Sequence, residues 1–356
     1  MKLLNKFLGL AILLALFTTS CNSDDDAIIA GQLPSEPLGA YENGSFVLNE
    51  GSNASTAGVD FLSDEGVLTQ DVFRIENPNE DEVGLFLQNI FFDDTRAFII
   101  SGGTNSVTVV NRFTFKYITT IESDFEAPRY GVVVGDKAYV TNRGDFSSSA
   151  DNAITVIDLN NYSTSRFSLN AIAERIESVG NKLAVSNGDS FASTTTISMV
   201  DLDNNNAVTT IDLGANNVPN TMEVISNTLY VLTNSKKFIT INPSTETITS
   251  TLDLPSSLGT TTNLQIHNDE VYFTVDTSVY SFGLGDTTVS ATPLLTYNST
   301  SQFGAMRGFA VYDDTIFIAD AGDFASAGTF FKYDLTGALI ADYVSSGVSP
   351  NGFYKN

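Results

Sequence analysis

The feature that most constrains this chain is a repeat. A strand of the form x-Tyr-Val-x-Asn is followed by a polar loop and then by Ile-x-Val-Ile-Asp. The pair runs Lys137 to Asn142 with Ala153 to Leu159, Lys182 to Asn187 with Thr196 to Leu202, and Thr228 to Asn234 with Phe238 to Asn242. It returns as Glu270 to Asp276 with Ser278 to Phe282, and as Thr315 to Asp320 with Thr329 to Leu335. Upstream, Arg96 to Ser101 with Ser106 to Asn111 fits the same frame, and so does Ser45 to Asn49 with Gly58 to Ser63. The equivalent positions Phe98, Tyr139, Ala184, Tyr230, Tyr272 and Phe317 lie about 45 residues apart.

Runs that alternate β-branched and aromatic residues, broken by Gly, Asn, Asp and Ser, are strands and turns; helix periodicity is nearly absent past residue 45. One such hairpin cannot bury its own apolar faces, but stacked copies can. The period leaves room for an inner strand before each hairpin, such as Tyr130 to Val134, and an outer one after it, such as Val208 to Asp212. The expectation is an all-β, seven-bladed β-propeller with four-stranded blades over residues 45–356. Two separate sandwiches are the alternative. The chain ends favour a ring. The first copy starts at its second strand, Phe46 to Leu48, and the chain finishes with Ser349 to Tyr354, which matches the start of an inner strand. The C-terminal strand should therefore complete the N-terminal blade and hide its edge.

Lys and Arg total 17 against 42 Asp and Glu, a net charge of −25, which repels phosphate backbones and argues against nucleic-acid partners. One His, one Cys and no Trp leave almost no material for His- or Cys-based metal sites, thiol catalysis or a Ser-His-Asp triad.

The N-terminus reads as an export signal, residues 1–20. Lys2 and Lys6 precede an apolar run from Phe7 to Phe17, too short for a permanent bilayer span. Thr18-Thr19-Ser20 then lead into Cys21, the single cysteine, which cannot form an internal disulfide. Its position suits a lipobox, in which the thiol is acylated and anchors the protein to a membrane. An ordinary secretory signal with a chance Cys is the plainer reading. Asn22-Ser23-Asp24-Asp25-Asp26 is either a solvated tether or, by resemblance, the signal that sends Bacteroidetes-type lipoproteins to the outer face of the outer membrane. Residues 21–44, with Pro34 and Pro37, read as lipidated Cys, acidic signal and flexible tether.

In a propeller, loops after the second strand and starts of inner strands share one face around the axis. Counting back ten residues from each hairpin position gives Gln88, Arg129, Glu174, Asn220, Thr262 and Arg307, with Asn351 from the closing strand. All seven are polar, and together they should ring the mouth of the central channel. A slip of one residue is open at Glu174, where Arg175 follows. The ring either receives a ligand or lines a water-filled channel and satisfies itself. Around it, three near-copies of one loop place Asp145 and Phe146, Asp189 and Phe191, and Asp323 and Phe324 on the rim. Asn49 to Ser55 is a fourth copy without the Phe. Those Phe side chains either meet a ligand or pack their own loops. The loops after Asn234 and Asp276 are short, so the face should be walled on one side and low on the other.

No catalytic residue, metal ligand or cofactor is assigned. Arg129 and Arg307 would put positive charge beside any axial cation, with only Glu174 to offset them. Two axial Arg are too few for a sialidase-like cluster, and quinone-dependent propeller dehydrogenases use Trp that this chain lacks. Asp201-Leu202-Asp203-Asn204-Asn205 lacks the Gly and Glu of a calcium loop, and His267 has no partner of known chemistry. A hydrolase using Glu174 or a rim Asp would need a carboxylate pair that the ring does not offer.

Lys137-Ala138-Tyr139-Val140-Thr141-Asn142, with Ile154 to Asp158, resembles the repeat of YVTN-type (YncE-like) propellers. The resemblance covers residues 45–356 and speaks to fold more than to function. With the lipobox, the chain also resembles Bacteroidetes surface lipoproteins that bind cobalamin and hand it to a TonB-dependent transporter. That resemblance implies a corrinoid on the axial face, with carboxamides on Asn, Gln, Thr and Ser, phosphate on Arg and ring edges on Tyr and Phe. A carbohydrate- or protein-binding surface module or adhesin is the other reading.

Overall fold

The structure is a computed structural model, and it describes residues 38–145, 150–188, 193–299, 301 and 306–356. Seven four-stranded antiparallel sheets are found among these residues, each ordered from the axis outward. Blade 1 sets Pro350–Lys355 innermost, then Gly44–Asn49, Gly58–Ser63 and Leu68–Thr69. Blades 2 to 7 each follow the chain, with inner strands Leu87–Phe92, Pro128–Val134, Ile176–Val179, Pro219–Ile225, Thr261–His267 and Gly308–Tyr312. The seven-bladed propeller expected from the repeat is the fold.

Closure follows the chain ends as expected. The C-terminal strand pairs antiparallel with Gly44–Asn49, with Phe46 opposite Tyr354 and Val47 opposite Phe353. Phe353 lies 5.3 Å from Phe317 and 5.8 Å from Phe330 of blade 7, ring centre to ring centre. Closure is reinforced on the outside. The Asp60 carboxylate of blade 1, fully buried, accepts from Ser346 N (2.9 Å) and Ser346 Oγ in the outer strand of blade 7. It also accepts from Asp71 N (2.8 Å) and Asn49 Nδ2 (3.1 Å). Burial raises the pKa of Asp60, and those hydrogen bonds pull against it.

The core lies between blades. Phe46, Phe61 and Phe115 pack between blades 1 and 2, for example, with Phe46 and Phe115 centred 4.7 Å apart. Turns between first and second strands at Ser226-Asn227, Asn268-Asp269 and Asp313-Asp314 carry positive φ at both residues. That geometry matches the right-handed strand twist, and it explains the Asn and Asp there. Among the described residues a short helix, Val72–Glu76, follows blade 1; its cap is Asp71, whose side chain accepts from Arg74 N. The sequence periodicity did not foretell it.

Candidate functional site: the axial cavity

The inner strands do not enter their blades cleanly. Register shifts fall between Leu87 and Asn89, Pro128 and Gly131, Pro219 and Thr221, and Thr261 and Leu264. In blade 1 the closing strand shifts likewise, with Pro350 and Gly352 paired to consecutive residues of its neighbour. A bulge leaves one or two residues outside the ladder and re-aims their side chains. Those residues are Gln88, Arg129, Tyr130, Asn220, Thr262, Asn263 and Asn351, and all but Tyr130 and Asn263 are among the seven placed on the axis by the repeat. Glu174 and Arg307 stand just before their inner strands. The register found in the sequence is the register of a repeated bulge.

Most of the seven serve as latches between blades. Arg129 of blade 3 grips Glu174 of blade 4 through Nε (3.1 Å to each oxygen) and Nη2 (2.7 Å), and its Nη1 donates to Gln88 of blade 2. Burial acts to lower the Arg129 pKa, but the charge of the Glu174 carboxylate and its hydrogen bonds, with Glu50 further off, more than reverse this. The guanidinium stays charged. Asn351 Nδ2 donates to Leu87 O (2.9 Å), linking blades 1 and 2, while its Oδ1 is buried without a donor. Asn220 Nδ2 donates to Thr261 O (2.5 Å) across blades 5 and 6. Thr262 is exposed and pairs with Thr274 Oγ1 (2.6 Å) in its own blade.

Arg307 corrects one expectation. Its counter-charge is Glu50, from the loop of blade 1, bound through Nε (3.1 Å) and Nη2 (2.6 Å). Glu174 is therefore not the only acid offsetting the axial arginines. Sequence alignment could not pair Arg307 with a residue at the other end of the chain.

At the latches the channel holds a cavity of about 350 Å³, lined almost wholly by polar groups. Gln88, Arg129, Arg307 and Asn351 contribute from the predicted ring. Arg175, Glu177, Asn263, Gln265, Tyr130 and Tyr354 contribute from positions that the ten-residue count did not reach. The one-residue ambiguity at Glu174 resolves into a division of roles: Glu174 is the latch and Arg175 lines the cavity. Two carboxyls stand on the inner strands of the neighbouring blades 4 and 5, close enough for the charge of one to act on the other. Glu177 is pushed up to about 7 by burial, against the pull of Arg175. Glu223 is pushed up to about 8 by burial and then by the charge of Glu177, while Ile266 N donates to it at 2.7 Å. The carboxylate pair missing from the predicted ring thus exists one layer deeper. The repeat carried that signal, because Glu177 and Glu223 occupy the same position of their blades, opposite Ala184 and Tyr230.

The rim is described in part. Phe146, Asp189 and Phe191 lie outside the described residues, as does Cys21. Asp145 is exposed, and its N–H donates to Asp151 Oδ2 (2.9 Å). Asp323 is exposed, and its carboxylate accepts from Ala325 N (2.9 Å), Ser326 N (2.7 Å) and Ser326 Oγ (3.1 Å) of its own loop. Phe324 is half-buried beside it with φ 58°. Among the described residues, no helix is long and apolar enough to cross a membrane.

No protein-family profile matches the chain, and no curated protein matches it in sequence. Solved structures do match. A quinonprotein alcohol dehydrogenase-like protein from Bacteroides thetaiotaomicron aligns with TM-score 0.66 at 12% identity, over 88% of this chain and 78% of that one. Streptogramin B lyase aligns with TM-score 0.58 at 13% identity, over 75% and 86%. BamB from Moraxella catarrhalis gives 0.51 at 15%, over 88% and 91%. The likeness is one of fold. Proteins with such different names share it, so what this chain does has to be argued from its own axial residues.

Proposed function

We propose that the protein is a non-catalytic binding module that receives a ligand on its axial face. The observation that carries this reading is the polar cavity at the axis, where amides, tyrosines and three arginines converge. In that reading Cys21 is acylated and holds the propeller at the outside of the outer membrane. The ligand implied by the resemblance is cobalamin or a related corrinoid, passed on to a TonB-dependent transporter. A corrin macrocycle is broader than a cavity of about 350 Å³, so it would lie across the mouth with a side arm inside.

Titration of the purified protein with cyanocobalamin tests the reading. A stable red complex on gel filtration is the expected result; no binding at micromolar concentrations would sink the corrinoid assignment. For the anchor, Cys21→Ser should move the protein from the membrane fraction to the soluble one. Retention of that variant in the membrane would remove lipidation from the proposal.

A further inference from the structure

Arg175 differs from the two arginines beside it. Arg129 and Arg307 each hold a carboxylate at two points, so their charges are matched at the mouth. Arg175 lines the same cavity, yet its guanidinium has no hydrogen-bond acceptor among the described residues. Instead its Cζ stands over the Tyr130 ring, 4.7 Å from the centroid. Tyr130 belongs to blade 3 and Arg175 to blade 4, so the contact fixes the guanidinium across a seam. A guanidinium offers five N–H donors in a planar fork. Held against an aromatic face with those donors unused, it is ready for an anionic oxygen pair.

The charge count in the cavity sets the class of anion. The ion pairs of Arg129 and Arg307 leave Arg175 as the one lining guanidinium without a direct carboxylate partner among the described residues. Glu177, two residues further along in the same blade, and Glu223 across the next seam are the nearby acids, and Tyr130, Tyr354 and Arg129 are the other titratable neighbours. A dianion would place surplus negative charge beside those two carboxyls. A single negative charge is matched. The cavity has room for an acidic group with a compact polar body, and Gln88, Asn263 and Gln265 supply amides for that body.

We propose that Arg175 is the receptor for a singly charged oxyanion, a carboxylate or a phosphodiester, carried by a ligand that enters the axial cavity. This rests on the reading that the axial face receives a ligand, and it names the group that the cavity recognises.

Calorimetric titration of the purified protein at pH 6.5 with D-glucuronate, dimethyl phosphate and uncharged D-glucose tests it. Saturable binding of at least one monoanion is expected, with glucose at least about tenfold weaker, the loss that goes with a charge-assisted hydrogen bond. The tighter of the two monoanions identifies the source of the charge. Arg175→Gln should abolish the preference over glucose, and Arg175→Lys should fall between that variant and the wild type. Circular dichroism and melting temperature check that both variants fold; if the Gln variant does not, the weakened binding of the Lys variant carries the test. Absence of binding by both monoanions overturns the proposal, as does equal monoanion binding by wild type and variants. A parallel cyanocobalamin titration separates the two ideas. Equal cyanocobalamin binding by wild type and Arg175→Gln, with no monoanion bound, removes the oxyanion receptor and leaves the axial-face reading standing. Monoanion binding lost with Arg175, but no cyanocobalamin binding, keeps the receptor and removes the corrinoid.

Discussion

Arg129 and Glu174 sit on neighbouring blades and are joined by a two-point ion pair at the mouth of the channel, with Arg129 Nη2 2.7 Å from Glu174 Oε1. The two side chains are 24% and 10% exposed, so the pair lies between a surface bridge and a buried one. Such a pair holds register well, and it becomes a liability once one partner is removed.

Arg129→Ala should therefore destabilise the fold by about 2–4 kcal/mol, because it leaves the Glu174 carboxylate shielded and unmatched. The double replacement Arg129→Met with Glu174→Leu should recover most of that loss, since two apolar groups need no desolvation repayment. Urea midpoints of the single and double variants measure both effects. Equal stability of the Ala variant and the wild type would mean that the pair is only a surface ornament.

The neighbouring carboxyls Glu177 and Glu223 predict a pH dependence. Their folded pKa values stand at about 7 and about 8, above the ordinary carboxylate range, so the folded state holds protons that the unfolded chain has released. The stability they contribute is fully present below the unfolded pKa and is lost as pH rises through 7 to 8. Glu223→Gln keeps an acceptor for Ile266 N and cannot ionise. It should match the wild type near pH 5 and exceed its melting temperature at pH 9. Parallel stability curves for the two proteins across that interval would contradict the assignment.

Phe353 fills the seam at which the ring closes. Phe353→Ala removes a ring that is only 7% exposed and opens a cavity between the closing strand and blade 7. The expected cost is about 3–4 kcal/mol. Val344→Ala, on the outer strand and 57% exposed, should stay within about 0.5 kcal/mol. Denaturant unfolding of the two variants side by side checks the contrast.

The outer clasp at Asp60 yields a subtler expectation. Since burial already disfavours the charge of Asp60, electrostatics alone would make the neutral amide harmless. Geometry decides otherwise: Asn49 Nδ2, Asp71 N, Ser346 N and Ser346 Oγ all aim donors at its two oxygens. Asp60→Asn turns an NH2 toward some of them and should cost about 2–3 kcal/mol. A thermal shift below 1 °C would show that the clasp does not hold the seam.

The parts of this molecule that depend on periodicity could be read from the chain alone. Strand alternation, the repeat of about 45 residues and the incomplete copy at each end specify blades, their number and the strand that closes the ring. The polar register at Gln88, Arg129, Asn220 and Asn351 was legible too, because a bulge at the same point of several blades keeps the spacing constant. What the side chains do there was not. Arg307 meets Glu50 across 257 positions of sequence, and Glu174 and Arg175, adjacent in the chain, point to different tasks. Spacing records which residues share a face. Only the closed ring brings blades 3 and 4, or 7 and 1, within hydrogen-bond reach, and that contact leaves two arginines matched and Arg175 free to read a ligand.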